Sequence, residues 1–335
     1  MEVADLVGGE DKLVTFTSGG TEANNTVLTP EWVRAGKPNI CSRLLVGATE
    51  HPSVLAGGRF PADRVVRIPV DGNGVIDLSA LQSLLATEDS LALVSVMLAN
   101  NETGAIQPVS EIAAIAHAAG ALVHTDAIQA AGRIPVDIGE LGVDALTLSA
   151  HKIGGPQGAG AVVRASEDVA FAPLLSGGGQ ERGGRAGTEN IAAIAGFGAA
   201  VRPVLADLEN VHSWSVLCEE IVSIITSGGR EVTIFSENSA RLPQTVCFSV
   251  HGVSAETLVI ALDLAGVAVS SGSACSSGKV AASHVLAAMG VRPDVAKSAI
   301  RISLGWDSEK LDLDLFASTW RGVVKHIAPG EIQAA

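Results

Sequence analysis

Lys152 ends the segment DALTLSAHK, an apolar run that passes at once into the glycine-rich turn IGGPQGAG. An ammonium group in such a place loses hydration, and burial lowers a lysine's pKa. A neutral amine is a nucleophile, and its commonest use in a buried position is a Schiff base with an aldehyde cofactor. A surface lysine in a glycine-rich hairpin is the alternative, so other residues must serve the same chemistry. Asp126 follows a second apolar run 26 residues earlier and offers a carboxylate for a pyridine nitrogen. His51 offers a flat ring. Thr17-Ser18-Gly19-Gly20-Thr21 opens a helix-compatible run, where free backbone N–H groups and the helix dipole favour a phosphate. An ordinary N-cap is the alternative for that turn. A lysine for an aldehyde, a carboxylate for a ring nitrogen, a flat partner and a phosphate cradle together meet the needs of pyridoxal phosphate.

Such residues need a scaffold that brings strand ends together. Apolar runs over 13–16, 43–47, 64–68, 91–99 and 121–125 read as buried strands, and 91–99 is of the continuous kind found in parallel sheets. Helical stretches over 78–86 and 109–119 lie between them. Strands alternating with helices predict an α/β chain built on a doubly wound, mostly parallel sheet. Ligands of such sheets sit at the carboxyl ends of the strands, where Thr21, His51, Asn101, Asp126 and Lys152 all fall.

The glycine-rich stretch SGGGQERGGRAGTEN, 176–190, leads into a helix over about 190–207. A composition change near Pro203 divides the chain into a large domain, 1–203, and a smaller α+β domain, 204–335. The second domain is expected to hold strands at 231–235, 245–250, 267–269 and 299–304, with helices at 254–264, 283–289 and 310–326. Its serine-rich loop SSGSACSSG, 270–278, carries Cys275.

With 335 residues, 47% of them hydrophobic and 17% charged, the chain can bury a sizeable core. No apolar run approaches the roughly 20 residues that cross a bilayer, so no membrane partner is expected. The acidic start MEVADLVGGEDKL lacks the basic and apolar regions of a signal peptide, and a cytoplasmic location is expected. A formal charge of −14 disfavours nucleic acid. The four cysteines form no CxxC pair and signal neither a disulfide framework nor an intrinsic metal site. Cys41, Cys218 and Cys247 read as inert core thiols. His117, His212, His284 and His326 fall on helical patterns and read as packing or surface residues, whereas His124, beside Asp126, is left open.

The segments FTSGGTEANN, EHPSV, NNETGAIQPV, HTDAIQAAG, LSAHKIGGPQGAG, GGGQERGGRAGTEN, SSGSACSSG and IRISLGW occur in this order from Phe16 to Trp306. Through them the chain closely resembles the cysteine desulfurases of iron–sulfur cluster and nitrogenase maturation, within the class V aminotransferases. The resemblance implies a fold-type I pyridoxal-phosphate enzyme, a three-layer α/β/α large domain with a smaller α+β domain, and a homodimer. It implies that Lys152 attaches the cofactor and shuttles protons, that Asp126 pairs with the ring nitrogen, and that His51 stacks on the ring. Gln129 and Asn101 would bond its phenolic oxygen. Gly20, Thr21, Ser149 and His151 would hold the phosphate, with Thr188 reaching a phosphate across the dimer interface. Arg301 would grip the carboxylate of L-cysteine, and Asn101 would also face the substrate. Cys275 would take the sulfur as a persulfide and pass it to an acceptor or iron–sulfur scaffold protein, on which the persulfide would contact a cluster only transiently. An incidental thiol in a serine-rich turn is the alternative for Cys275. The length of the segment up to Ser283-His284-Val285-Leu286 resembles the group with a long cysteine loop, which favours transfer to a partner protein.

The family pattern also implies a segment like Tyr-Leu-Asp-Asn-Ala-Ala-Thr-Thr a few dozen residues before the FTSGG turn. That segment joins the two domains and lines the substrate pocket. Phe16 stands 15 residues after Met1 with no such segment before it, so a truncated chain with a loosened substrate site, or a misplaced start, is expected. The alternatives to a desulfurase are a selenocysteine lyase and a catalytically impaired binding or scaffold protein.

Overall fold

The apolar runs of the first half of the chain become strands buried on both faces, which is why they read as unbroken hydrophobic stretches rather than alternating ones. The structure, a computed structural model, describes residues 2–87, 90–208, 211–272 and 282–326. It divides into two units: residues 1–69, 76–99 and 107–209 form the first, and residues 70–75, 100–106 and 210–335 the second.

Ten strands belong to the first unit: β1 (Val14–Thr17), β2 (Glu31–Arg34), β3 (Lys37–Ile40), β4 (Arg43–Gly47), β5 (Val65–Ile68), β6 (Ala92–Ser95), β7 (Leu122–Asp126), β8 (Ala145–Ser149), β9 (Gly160–Arg164) and β10 (Val169–Phe171). Seven make one sheet in the order β1-β9-β8-β7-β6-β4-β5. Strands β8, β7, β6, β4 and β5 run parallel, while β9 lies antiparallel to both β8 and β1. Its helices are α1 (Glu2–Asp5), α2 (Gly20–Val27), α3 (Pro52–Leu55), α4 (Leu78–Ala86), α5 (Val109–Ala118), α6 (Ile138–Leu141) and α7 (Ile191–Asp207), the last of which contains Pro203. Asp77 caps α4 by accepting from the backbone N–H groups of Ser79 and Ala80. At the other end of α4, buried Arg43 of β4 donates to the carbonyls of Leu84 and Leu85, so a charge inside the sheet satisfies the orphan acceptors of a helix C-terminus.

The second unit carries β11 (Val232–Ile234), β12 (Thr245–Val250), β13 (Ser270–Ser271) and β14 (Ala299–Ser303), an antiparallel sheet in the order β11-β12-β14-β13. Among the described residues, α8 (Val211–Thr226), α9 (Ala255–Leu264), α10 (His284–Ala288), α11 (Pro293–Ala296) and α12 (Lys310–His326) accompany it. Phe316 and Trp320 of α12 close its core, the Trp320 ring lying 5.6 Å from Phe248 of β12 in an edge-on contact.

Three expectations shift. The run 91–99 is a strand only over Ala92–Ser95. Beyond it the N–H groups of Val96 and Leu98 still bond the carbonyls of His124 and Asp126, but the ladder is no longer regular. The strand expected over 267–269 is two residues long and lies at Ser270–Ser271, on the edge of its sheet. The small sheet β10-β2-β3 has no counterpart in the sequence reading. Its β2–β3 hairpin turns at Ala35 and Gly36, both at positive φ, and polar residues with Pro38 hide the strand pattern.

Candidate active site

Helix α2 begins as β1 ends, and the turn between them is shaped by glycine. Gly19 has a φ of 155°, and a Cβ on Gly20 would stand 2.3 Å from Cδ1 of Ile128 and 3.4 Å from Cβ of Ser149. A Cβ on Gly160, which pairs with both Thr17 and Ser149, would lie 2.5 Å from the backbone carbon of Gly19. The chain is therefore thinned from two sides where α2 starts. Gly20, Thr21, Ser149 and His151 line one cavity of about 340 Å³ at this helix N-terminus. Ser149 Oγ lies 2.9 Å from Nδ1 of His151. Burial and the adjacent Lys152 charge both lower the His151 pKa, so this ring is neutral at physiological pH. Backbone N–H groups, small hydroxyls and a positive helix end suit a phosphate.

Asp126 is the last residue of β7 and is 4% exposed. Its Oδ1 accepts from the N–H of Ile128 at 2.9 Å, and its Oδ2 accepts from Nδ2 of Asn24 at 2.8 Å. Burial pushes this carboxyl above its ordinary value. The Asn24 and Ile128 hydrogen bonds and the positive charge of Lys152 pull it part of the way back. Asn24 also donates to Oγ of Ser53 at 2.9 Å, and Ser53 Oγ lies 2.7 Å from Nδ1 of His51. His51, half-buried, caps α3 by accepting from the Ser53 N–H at 3.1 Å. Its neighbour Glu50 is 1% exposed and accepts from the Met97 N–H at 2.6 Å.

Lys152 stands three residues beyond β8, on a turn of 3₁₀ helix over Ala150–Ile153, and is half-buried rather than enclosed at a strand end. Left-handed Gly154 closes that turn, so the apolar run stops at Ser149 and the lysine leaves the sheet. Gln129 follows on the half-buried turn after Asp126. Thr188 is exposed and, with Ser18 and Arg185, lines a separate cavity of about 110 Å³.

Arg301 and Asn101 belong to the second unit. Arg301 lies on β14, its Nη1 donates to the carbonyl of Asn101, and its Nε is buried without a hydrogen-bond partner. A guanidinium N–H of this kind is able to donate to an anion. Glu102 nearby is 4% exposed and accepts from the hydroxyl of Ser283, the residue that caps α10. Cys275 lies outside the described residues.

The structure brings Gly20, Thr21, Ser149 and His151 to one cavity, and sets Asp126 within electrostatic reach of His51 and Lys152. Asn24 and Ser53, which join Asp126 to His51, and Thr147 and Ser95 behind them were not singled out from the sequence. A polar residue inside an apolar run, such as Thr147 in ALTLS, is the signal that could have found them. A phosphate-bearing pyridine with an aldehyde fits this set: glycine-thinned backbone at a helix N-terminus, a buried carboxylate, and an amine whose charge bears on that carboxylate.

Comparison with known proteins agrees with this chemistry. A family model described as aminotransferase class-V matches residues 1–316. A cysteine desulfurase of Cereibacter sphaeroides is 40% identical over 317 residues, spanning 93% of this chain and 80% of that protein. The cysteine desulfurase IscS of Dictyoglomus turgidum is 37% identical over 317 residues, spanning 93% and 79%. Among solved structures, a NifS-like protein from Rickettsia africae superposes with a TM-score of 0.85 at 35% identity, covering 97% of this chain and 86% of that one.

Proposed function

Because the chain belongs to the class-V aminotransferase family, among its cysteine desulfurases, we propose that it is a pyridoxal-phosphate enzyme that converts L-cysteine to L-alanine and an enzyme persulfide. The observation that carries the reading is Asp126, a buried carboxylate at the end of β7, held by two hydrogen bonds and subject to the charge of Lys152. A carboxylate held in this way, beside an amine, suits the task of keeping a ring nitrogen protonated.

Pyridoxal phosphate, when bound, supplies an electron sink. The chain's own residues do the rest. Lys152 Nζ holds the cofactor and moves a proton, Asp126 stabilises a proton on the ring nitrogen, and His51 covers the ring. Gln129 and Asn101 bond the phenolic oxygen, and Asn101 also faces the substrate. Gly20, Thr21, Ser149 and His151 bind the phosphate, and Thr188 serves a phosphate across a dimer interface. Arg301 binds the substrate carboxylate, for which its unpaired Nε leaves a donor ready. The Cys275 thiolate attacks the substrate sulfur. A C–S bond breaks and an S–S bond forms, the carbon is reduced and takes a proton, and the two sulfurs share the oxidation, so no outside oxidant is consumed.

In this reading the first unit binds the cofactor, and the protein works as a cytoplasmic homodimer that passes sulfur to an acceptor or iron–sulfur scaffold protein. Among the described residues no single helix is long and apolar enough to cross a membrane.

Purified holoprotein given L-cysteine and a thiol reductant should release sulfide and alanine in equal amounts. Cys275→Ala should abolish sulfide release and keep the yellow colour, and Lys152→Ala should lose the covalently held cofactor. Full turnover without Cys275 would point instead to a selenocysteine lyase or another lyase. Bound cofactor with no reaction would mark a scaffold protein.

A further inference from the structure

We propose that Asn24 is a positioning residue that couples Asp126 to His51, and that Thr147, His124 and Ser95 form a fixed-proton chain behind it. This rests on the pyridoxal-phosphate reading above.

The proton positions follow from groups that can act in one way only. The Ser53 backbone N–H can only donate, and it points at Nδ1 of His51 from 3.1 Å. That nitrogen is therefore unprotonated, and the Ser53 hydroxyl, 2.7 Å away, also donates to it. Ser53 Oγ is then free to accept, and it does so from Nδ2 of Asn24 at 2.9 Å. The second hydrogen of the same amide goes to Oδ2 of Asp126 at 2.8 Å. With its nitrogen so committed, Asn24 presents Oδ1 to Thr147, whose hydroxyl donates at 2.6 Å.

Behind Thr147 the order continues. Its single proton is used, so Nε2 of His124, at 3.2 Å, donates to it and Nδ1 accepts from Ser95 at 2.9 Å. Both histidines carry their proton on Nε2. Ser95, His124 and Thr147 are 0% exposed, as is Asn24. Burial alone pushes His124 down to about 3, so the ring stays neutral and its tautomer does not switch with pH. The four residues come from β6, β7, β8 and α2, and their donors all point one way, toward the two groups that face the cofactor ring.

The consequence is a division of labour around Asp126. Burial favours its neutral form. The Ile128 N–H, the Asn24 amide and the positive charge of Lys152 favour the anion. Asn24 is the one of these that also fixes the His51 ring, through Ser53. Losing it frees Asp126 to keep its own proton to higher pH and loosens the Ser53 hydroxyl that holds His51.

The test uses the holoenzyme without substrate, with the pH midpoint of its visible cofactor band and its cofactor dissociation constant as readouts. Asn24→Leu keeps the branched shape and removes all three hydrogen bonds. Thr147→Val and Ser53→Ala break one arm each and keep the fold testable if the leucine variant does not accumulate. Asn24→Leu should raise the midpoint by half a pH unit or more and weaken cofactor binding at least tenfold. Thr147→Val should move both in the same direction by less, and Thr147→Ser should restore them. Midpoints within 0.2 pH unit and affinities within twofold of the parent in Thr147→Val and Ser53→Ala would overturn the proposal. A parent protein that takes up no pyridoxal phosphate would overturn the cofactor reading itself, and this one with it.

Discussion

Arg185 places its Nε 2.9 Å from Oε1 of Glu22, joining residues 163 apart in sequence, and so ties the glycine-rich stretch 176–190 to the first turn of α2. Glu22 is used on its other side as well, accepting from the backbone N–H and the hydroxyl of Ser18. The turn at the mouth of the cavity beside α2 is thus pinned by a carboxylate. Left alone, that charge would repel a phosphate at the same helix end, and Arg185 neutralises it. The arginine and glutamate side chains are only 21% and 12% exposed, so the pair is not a solvated surface contact.

Arg185→Ala should destabilise the protein by about 1–3 kcal/mol, because it leaves a half-buried carboxylate without its charged partner. Burial raises the Glu22 pKa, but the hydrogen bonds from Arg185 and Ser18 outweigh it and hold the group below its ordinary 4.5. A depressed native pKa means stability that is present above the unfolded value and lost as pH falls through the native one. Urea unfolding curves of the parent and the variant should differ at pH 7 and draw together below pH 4.5, and a gap that persists unchanged in acid would show the pair to be unimportant.

Glu50 shows the opposite sign. Burial raises it well above its ordinary value, the Met97 N–H opposes this, and the Asp126 charge adds to it. The stabilisation from its neutral form is therefore complete below about pH 4.3 and fades as pH rises toward the native value. Glu50→Gln keeps the Oε1 acceptor for Met97 and cannot ionise. Its stability relative to the parent should climb with pH at up to about 1.4 kcal/mol per unit before levelling. Urea unfolding of both proteins between pH 5 and 8 measures the slope, and a flat difference would mean that Glu50 is ionised throughout.

Much of this site was legible because charged or polar groups interrupt hydrophobic runs at their ends. Asp126 and Lys152 stand out in that way, and β4, buried on both faces, reads plainly as RLLVG. The links among them were not legible. Asn24 and Thr147 are 123 residues apart, and nothing local in ANNTV or ALTLS says that an amide on a helix will meet a hydroxyl on a strand. Only the packing of α2 on the sheet makes that pair. Lys152 was misplaced for a related reason: the strand ends at Ser149, and the left-handed turn at Gly154 rather than hydrophobicity decides where the side chain emerges.

The glycines that thin the cradle differ in how far their neighbours can yield. Ile128 Cδ1, which a Cβ on Gly20 would meet, is the end of a flexible side chain, whereas Gly160 faces the backbone of Gly19. Gly160→Ala should therefore cost roughly 1–3 kcal/mol and displace the turn, with a clear loss of pyridoxal-phosphate affinity. Gly72→Ala has nothing within 4 Å of its new Cβ and should leave both quantities unchanged. Thermal unfolding and cofactor titration of the two variants make the comparison, and equal effects would show that the contact at Gly19 is not what limits the site.

Three of the four thiols are disarmed by their surroundings. Cys41, Cys218 and Cys247 are buried, and burial pushes each to about 12, with the Asp144 charge adding at Cys41 and the Glu102 charge at Cys247. At pH 8 only about one such thiol in ten thousand is a thiolate at any moment, and the thiolate is the reacting form. If Cys275 is the sulfur carrier, it must react as the others cannot. Native protein treated with iodoacetamide at pH 8 should show one fast-labelling site, mapped by peptide mass to Cys275, and three that react only after unfolding in guanidinium. Cys275→Ala should remove the fast phase and leave the slow ones unchanged. A fast label on Cys41, Cys218 or Cys247 would contradict both their burial and the assignment of the carrier.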